Sequence, residues 1–514
     1  MGRPNVLLIN PDPNPYVEAS KIDFGAPMAI LAIGTQLKNE GMGVSIIDAR
    51  LYKGDTVFEK IDERMKGVRL IGLSVMTAQI KEALRLSEYI KAKYKDAKIA
   101  WGGVHPTLFP EQTLSSDLVD FIAIGEGDIT ACELASRIEG SDGVTDYSDI
   151  KGLGFKRDGK SVINGRRPLM KMDDIPPQAF ELLDVERYVN AYYPFVGLRR
   201  ELLVQTSRGC PHRCAFCINY VERNYNIWRS KSPKLVIDEI KELKDRYKLN
   251  GISFRDENFY VNPKHAKGVI DGMRGMDIRW FANIRADYFH EKHVSSNLLK
   301  DSADAGAAYL GVGAESGSER MLKLICKDIT VDQIIKTAEE MNMFNIVASY
   351  SFVIGIPGET KEEMMMTIKL MKKLKKICPR SMFSGPQVLR PYPGGSLYDL
   401  CVENGYKSPS TLEGWANQET GKFGQLSMKS YPWVKDPDLV TALSTYVPAA
   451  LNYDFMKNMD LKRKIYAFMA RARLALNFWL FPYEWQLAMK GIKYLNIIKR
   501  GFSKLLFRAE GRGG

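Results

Sequence analysis

Two runs of alternating strand and helix patterns predict an α/β protein with a mostly helical C-terminal segment. Three observations carry this. Residues 1–140 contain five short, nearly all-apolar runs separated by amphipathic stretches. The same alternation returns between about 200 and 400. Beyond 400, long amphipathic stretches replace the strand runs.

Taken in order, residues 5–10, 44–48, 70–75, 98–103 and 121–125 read as strands, with a helix from 26 to 40 that ends at Gly41 and another reaching about Lys95. Strands that are apolar on both faces and joined by helices form a parallel, doubly wound sheet. Ligands of such sheets lie beyond the carboxyl ends of the strands. Small or polar residues fall there: Ser74 with Met76 and Thr77, Gly102 and Gly103 with His105, and Gly125-Glu126-Gly127. Glycine at such ends lets backbone approach a ligand closely; each position taken singly favours a plain turn, and their common placement is the better evidence.

Residues 141–195 change texture. A hairpin turning at Asp158-Gly159 precedes the extended segment that Pro176-Pro177 imposes, and the whole reads as an interdomain connector. From about 200, six strand runs follow, near 201–206, 251–256, 278–283, 309–313, 346–354 and 387–389.

Just past the first of these runs lies the strongest chemical signal. Cys210, Cys214 and Cys217 are spaced C-x3-C-x2-C. Thiolates this close hold a metal centre, and iron–sulfur clusters are held by cysteines. Structural zinc needs four ligands; His212 lies inside the loop, but no second cysteine pair has zinc spacing. Isolated core thiols are the other reading. Clustering of three of the seven cysteines argues against it, and Cys132, Cys326, Cys378 and Cys401 fit it better.

This loop, with Phe216 before its last cysteine, resembles that of the radical S-adenosylmethionine (SAM) enzymes. The segments from Gly102 to Glu111 and Val119 to Asp128 resemble the cobalamin-binding domain fused ahead of many of them. The resemblance covers roughly residues 1–400. It implies a cobalamin-binding domain over 1–140 and a partial (β/α)6 radical SAM barrel over 196–400; the residue pattern itself marks the linker with hairpin over 141–195 and the helical region over 401–514. The resemblance also implies a [4Fe–4S] cluster on Cys210, Cys214 and Cys217, whose free iron chelates SAM and whose electron cleaves SAM to methionine and a 5'-deoxyadenosyl radical. Phe216, Gly313, Glu315, Ser316, Gly355, Pro357 and Arg390 match positions around SAM. Ser74, Met76, Thr77, Gly102, Gly103, His105, Gly125, Glu126 and Gly127 match the cobalamin side. The D-x-H-x-x-G motif that supplies a histidine to cobalt is missing, so the loop 74–77 is expected beneath the corrin. His105 reaching the corrin is balanced against a histidine bonded to its own turn.

The implied activity is methyl transfer from methylcobalamin to an unactivated carbon, with cobalt remethylated by a second SAM. The alternatives are oxidative cyclisation or rearrangement without methyl transfer, and a non-catalytic cobalamin or redox sensor. A methylthiotransferase fits less well, since such enzymes carry a second cluster and residues 1–140 hold only Cys132. The expected partners are a small-molecule or lipid-like substrate and an electron donor such as flavodoxin or ferredoxin.

The net charge of +12 is concentrated at one end: residues 461–514 carry twelve basic and two acidic side chains, a net of +10. The rest is close to neutral, so general nucleic-acid binding is not expected. The odd cysteine count and reduced-looking motif point to the cytoplasm. No run is apolar for the roughly 18 residues of a membrane span. Aromatics at Phe478, Trp479, Phe481, Tyr483 and Trp485 precede apolar residues at helical spacing (Ile492, Leu495, Ile498, Phe502, Leu505). A helix packed on the barrel is the favoured reading; a basic amphipathic helix at a membrane surface is the other.

Overall fold

Successive side chains of a strand point to opposite faces, so an all-apolar strand needs cover on both. The strand Val6–Asn10 (β1) meets this demand. Leu8 packs with Ile30 and Leu31 on one side of its sheet, and Leu7 and Ile9 pack with Ile71 and Ile80 on the other. The computed structural model describes residues 5–13, 25–140, 146–189, 200–218, 227–418, 431–456 and 461–479.

Around β1 stand Val44–Asp48 (β2), Leu70–Ser74 (β3), Lys98–Gly102 (β4) and Phe121–Ala123 (β5), all parallel, in the order β2-β1-β3-β4-β5. The chain therefore reverses its direction of winding between β1 and β3, which opens a crevice at their carboxyl ends. The hairpin of Leu153–Arg157 (β6) and Lys160–Ile163 (β7) turns at Asp158-Gly159 as expected. It does not stand free as a connector: β6 pairs antiparallel with β5 and extends the first sheet.

The second sheet comprises Glu201–Val204 (β8), Gly251–Phe254 (β11), Arg279–Ile284 (β12), Ala307–Glu315 (β13), Val347–Ile354 (β14) and Met382–Val388 (β15), ordered along the chain and all parallel. A two-residue ribbon, Ser207–Arg208 (β9) and Arg229–Ser230 (β10), sits apart. Among the described residues β8 and β15 are not hydrogen-bonded to each other, so the barrel is partial. The helix Pro437–Leu451 covers the β15 end with Val440, Leu443 and Val447. An open strand edge left bare would invite pairing with another chain.

The helix Leu461–Leu476 turns Ala467, Ala470 and Leu474 inward, and Tyr466 stacks near Tyr446 of the preceding helix. This helix packs one face against the helix Pro437–Leu451. The apolar run from Phe481 to Leu505 lies outside the described residues. Among the described residues, no helix is long and apolar enough to cross a membrane.

Candidate active site

The cysteine loop begins where β8 ends, and a buried carboxylate fixes its first turn. Asp256, just past β11, accepts hydrogen bonds from the amides of Thr206 (2.7 Å) and Ser207 (3.1 Å) and from the Thr206 hydroxyl. With that hydroxyl donating to Asp256, His265 Nε2, 3.2 Å away, becomes its donor. Burial pushes the His265 imidazole down to about 4 and raises Asp256 above the usual carboxylate range. The β9–β10 ladder then closes the base of the loop. Gly209 stands there at φ +89°, where an added Cβ would lie 2.3 Å from the Ile227 carbonyl oxygen.

Two further backbone bonds grip the loop at its middle. Ala215 N donates to Ile325 O (2.8 Å), and Ala215 O accepts from Leu397 N (3.0 Å). Cys214 is buried, with Cys210 and Cys217 half-buried. Burial pushes the Cys210 thiol up to about 11, so cluster assembly there must displace a proton. Among the described residues, no three His, Cys, Asp or Glu side chains gather about one point to hold a single metal ion. His212 is engaged elsewhere, its Nε2 2.6 Å from Tyr288 Oη. The donor set suits a cluster, whose corners take one thiolate each.

Beside the loop lies a group of polar residues. A register shift at Gly313 and Glu315 in β13 places Glu315 at φ +63° and turns its carboxylate to Lys327 Nζ at 3.2 Å. Bulges next to active sites commonly re-aim a side chain in this way. A Cβ on Gly313 would meet Glu315 Oε1 at 2.4 Å, so the glycine makes the pair possible. Lys327 Nζ lies 5.7 Å from the centre of the Phe216 ring. Phe216 is 39% exposed and opens onto a cavity of about 180 Å³ that Ile356, Leu389, Arg390 and Tyr398 also line. Gly355 and Pro357 shape the turn around Ile356 without lining that cavity. Ser316 is buried, its Oγ accepting from Ser318 N (3.1 Å).

The Gly355 turn is internally braced. Glu359 accepts from the amides of Gly355 (2.6 Å) and Ile356 (3.2 Å), and Trp433 Nε1 donates to Gly355 O (2.8 Å). Burial pushes Glu359 up to about 7. Thr360 is the helix cap, closing a capping box with Glu363.

A second cavity of about 480 Å³ runs from the crevice between β1 and β3 to the cysteine loop. Leu8, Ile30, Ile33 and Leu134 give it an apolar end, and Ser74, Gly102, Gly103, Gly125, Glu126 and Gly127 form its rim. From the second domain come Gln205, Arg208, Gly209, Arg229 and Glu257. A Cβ at Gly72 would lie 2.8 Å from Leu8 Cδ2, and one at Gly103 (φ +95°) 3.0 Å from Val75 N. The room therefore depends on missing side chains, which suits a large planar ligand with a tail. Glu126 also ties the domains together, paired with Arg208 (3.1 Å) and with Arg229.

The structure separates the remaining expected residues. Met76 is 51% exposed on the loop after β3. Thr77 and His105 are turned away from the cavity. His105 is 0% exposed, with Nδ1 3.2 Å from Thr77 Oγ1 and Trp415 packed edge-on at 5.5 Å. Burial pushes it down to about 4. Of its two readings, neither ring contact with the cavity nor a ring bond to its own turn is seen among the described residues: His105 joins Thr77 on the loop after β3 and Trp415 of the C-terminal helix Leu412–Asn417. Among the described residues, no histidine lines the cavity. Sequence reasoning singled out neither Lys327 nor Arg229, and it quoted Arg208 only as part of the cysteine loop. Only the left-handed residues Cys326 (φ +49°) and Asp328 (φ +53°) mark Lys327, and dihedrals are not visible in a sequence.

A partial barrel bearing a three-cysteine loop, joined to a doubly wound domain with a glycine-rimmed cavity, defines a radical SAM enzyme with a corrinoid domain. Residues 204–371 match the radical SAM superfamily and residues 23–135 the B12 binding domain. An uncharacterised methyltransferase of Pyrococcus horikoshii is 30% identical over 78% of this chain and 83% of its own length. The anaerobic magnesium-protoporphyrin IX monomethyl ester cyclase of a Synechocystis species is 24% identical over 92% of both chains. Among solved structures, the radical SAM methyltransferase TsrM from Kitasatospora setae, with cobalamin and a [4Fe–4S] cluster bound, superposes with a TM-score of 0.62 at 17% identity, over 92% of this chain and 100% of that one. The chain belongs to the cobalamin-dependent radical SAM enzymes, and its cofactors are a [4Fe–4S] cluster, SAM and cobalamin.

Proposed function

We propose that this enzyme transfers a methyl group from cobalamin to an unactivated carbon of a small or lipid-like substrate. The observation that carries the reading is the shared wall: Gln205, Arg208 and Gly209, which lead into Cys210, also line the 480 Å³ cavity. The cluster with SAM would supply a hydrogen-atom abstractor, and cobalamin the methyl group. Cys210, Cys214 and Cys217 would hold the cluster. Phe216, Ile356 and Arg390 would flank the nucleoside, with Glu315 and Lys327 near the polar end of SAM. The glycines at 72, 102, 103 and 125 would admit the corrin and its tail. The two gripped faces of the cysteine loop would keep the cofactors in fixed register and exclude water from between them.

The test is anaerobic turnover with reductant and methyl-deuterated SAM. Methyl transfer predicts both 5'-deoxyadenosine and S-adenosylhomocysteine, with label entering the corrinoid. Deoxyadenosine without any movement of label would favour the second reading, oxidative cyclisation, which the Synechocystis relative supports by its length of match. A sensor predicts neither product. Flavodoxin or ferredoxin would be the electron donor.

We also propose contact with an anionic membrane surface. Ile465, Phe468 and Leu476, at helical spacing, face outward with Phe468 66% and Leu476 77% exposed, and the chain from 461 onward carries a net of +10. Flotation with phosphatidylglycerol vesicles should retain the protein, and Phe468→Asp should release it. Equal recovery with phosphatidylcholine alone would refute the electrostatic part.

A further inference from the structure

Arg285 follows β12 and is buried, 6% exposed. Such a guanidinium needs its donors directed, and here all three nitrogens are engaged. Nε donates to Asp287 Oδ1 (2.9 Å) and Nη2 to the Lys327 carbonyl (2.6 Å). The remaining arm, Nη1, points at Cys214 Sγ from 3.5 Å. Because the other contacts fix the plane of the group, this arm has little freedom to turn away. The carbonyl that receives Nη2 is itself held in place. Lys327 is flanked by two left-handed residues, and its ammonium is tied to Glu315. Cys214 is also the most buried of the three cysteines, so charge beside it is poorly screened.

We infer that Arg285 is a positioning residue that donates an N–H···S hydrogen bond to the cluster ligand Cys214 and raises the reduction potential of the [4Fe–4S] cluster. The inference rests on the reading that Cys214 is a cluster ligand. Reduction adds negative charge to the irons and their thiolates. A fixed cationic donor on one thiolate stabilises the reduced form, and hydrogen bonds to the sulfurs are among the levers that set such potentials. Asp287 opposes this by neutralising part of the charge. Arg285 thus makes the cluster easier to reduce by a low-potential donor, while leaving it a weaker reductant toward SAM.

The measurement is an EPR-monitored redox titration of the reconstituted full-length protein, with iron counted for every variant. Arg285→Met should keep wild-type iron content and shift the midpoint to more negative potential. Arg285→Lys, which keeps charge and loses the fork, should fall between. Asp287→Asn should shift it the opposite way, a result that a merely structural role would not produce. An unchanged midpoint in Arg285→Met at full iron content overturns the inference. So does loss of iron in both Arg285 variants, which would make Arg285 an assembly residue. Failure of the wild-type protein to bind about four irons per chain would instead break the cluster reading itself.

Discussion

The cysteine loop and the cobalamin-side rim are neighbours built on opposite principles. The loop is over-determined by side chains and paired backbone: Asp256 at its start and Ala215 held between Ile325 and Leu397. The rim is defined by what is left out, with glycines at 72, 102, 103, 125 and 127 keeping a cavity open. The difference follows from the ligands. A cluster is small and needs three donors at fixed spacing. A corrin is large and needs clearance, with specificity spread over backbone contacts. One site is damaged by removing a side chain, the other by adding one.

The largest expected effect tests the loop. Cys214→Ala should leave less than a full cluster and reduce SAM cleavage to background, while cobalamin still binds. Iron analysis and deoxyadenosine formation read the first part, and corrinoid absorbance the second. Gly103→Val should do the converse. Its backbone, at φ +95° and ψ −165°, lies in a region open essentially to glycine alone, at a cost on the order of 1–3 kcal/mol for other residues, and an added side chain meets the Val75 backbone. Cobalamin retention should fall at least tenfold with iron unchanged. Loss of iron in Gly103→Val would show that the two sites are not separately built.

Arg208→Met attacks the seam between them. Arg208 bonds Glu126 and Asp128 from the first domain while sitting two residues before Cys210. Removing one partner of a buried ion pair typically costs about 3–5 kcal/mol. A substantial fall in thermal stability, with partial loss of both cofactors, is the expected outcome. Loss confined to one cofactor would mean that the pair serves one domain alone.

The same contrast governs what could be read in advance. Most strands of both sheets were legible, because apolar runs of strand length are a local signal. The last was misplaced at 387–389: Met382–Val388 carries Ser384, Gly385, Pro386 and Gln387 and shows no apolar run. The cysteines were legible because spacing is itself the signal. The barrel, by contrast, came from resemblance, since alternation fixes α/β and not closure. The role of the hairpin was missed: its turn chemistry is local, but pairing with β5 is a long-range event. His105 stayed balanced between two readings because its position near Gly103 resembles a cofactor contact. Its environment is set by Trp415, more than 300 residues away in sequence. Arg285 was visible at a strand end, yet nothing in the sequence joins it to Cys214.

The smallest expected effect sharpens the comparison at the Gly355 turn, where one carboxylate does the bracing. Glu359 has its pKa raised from 4.5 to about 7 by burial, against the pull of the Gly355 and Ile356 amides. A carboxyl raised in the folded state binds its proton more tightly there than in the unfolded chain. Its stabilising contribution is therefore full below about 4.5 and is lost as pH rises through about 7. Glu359→Gln keeps an acceptor oxygen for both amides and removes the titration. Relative to wild type, the variant should gain stability between pH 5 and pH 8, by on the order of 2 kcal/mol, in thermal melts of the metal-free protein. A difference that stays flat across that window would place the Glu359 ionisation outside it, and the turn would then owe its shape to Trp433 and the glycines.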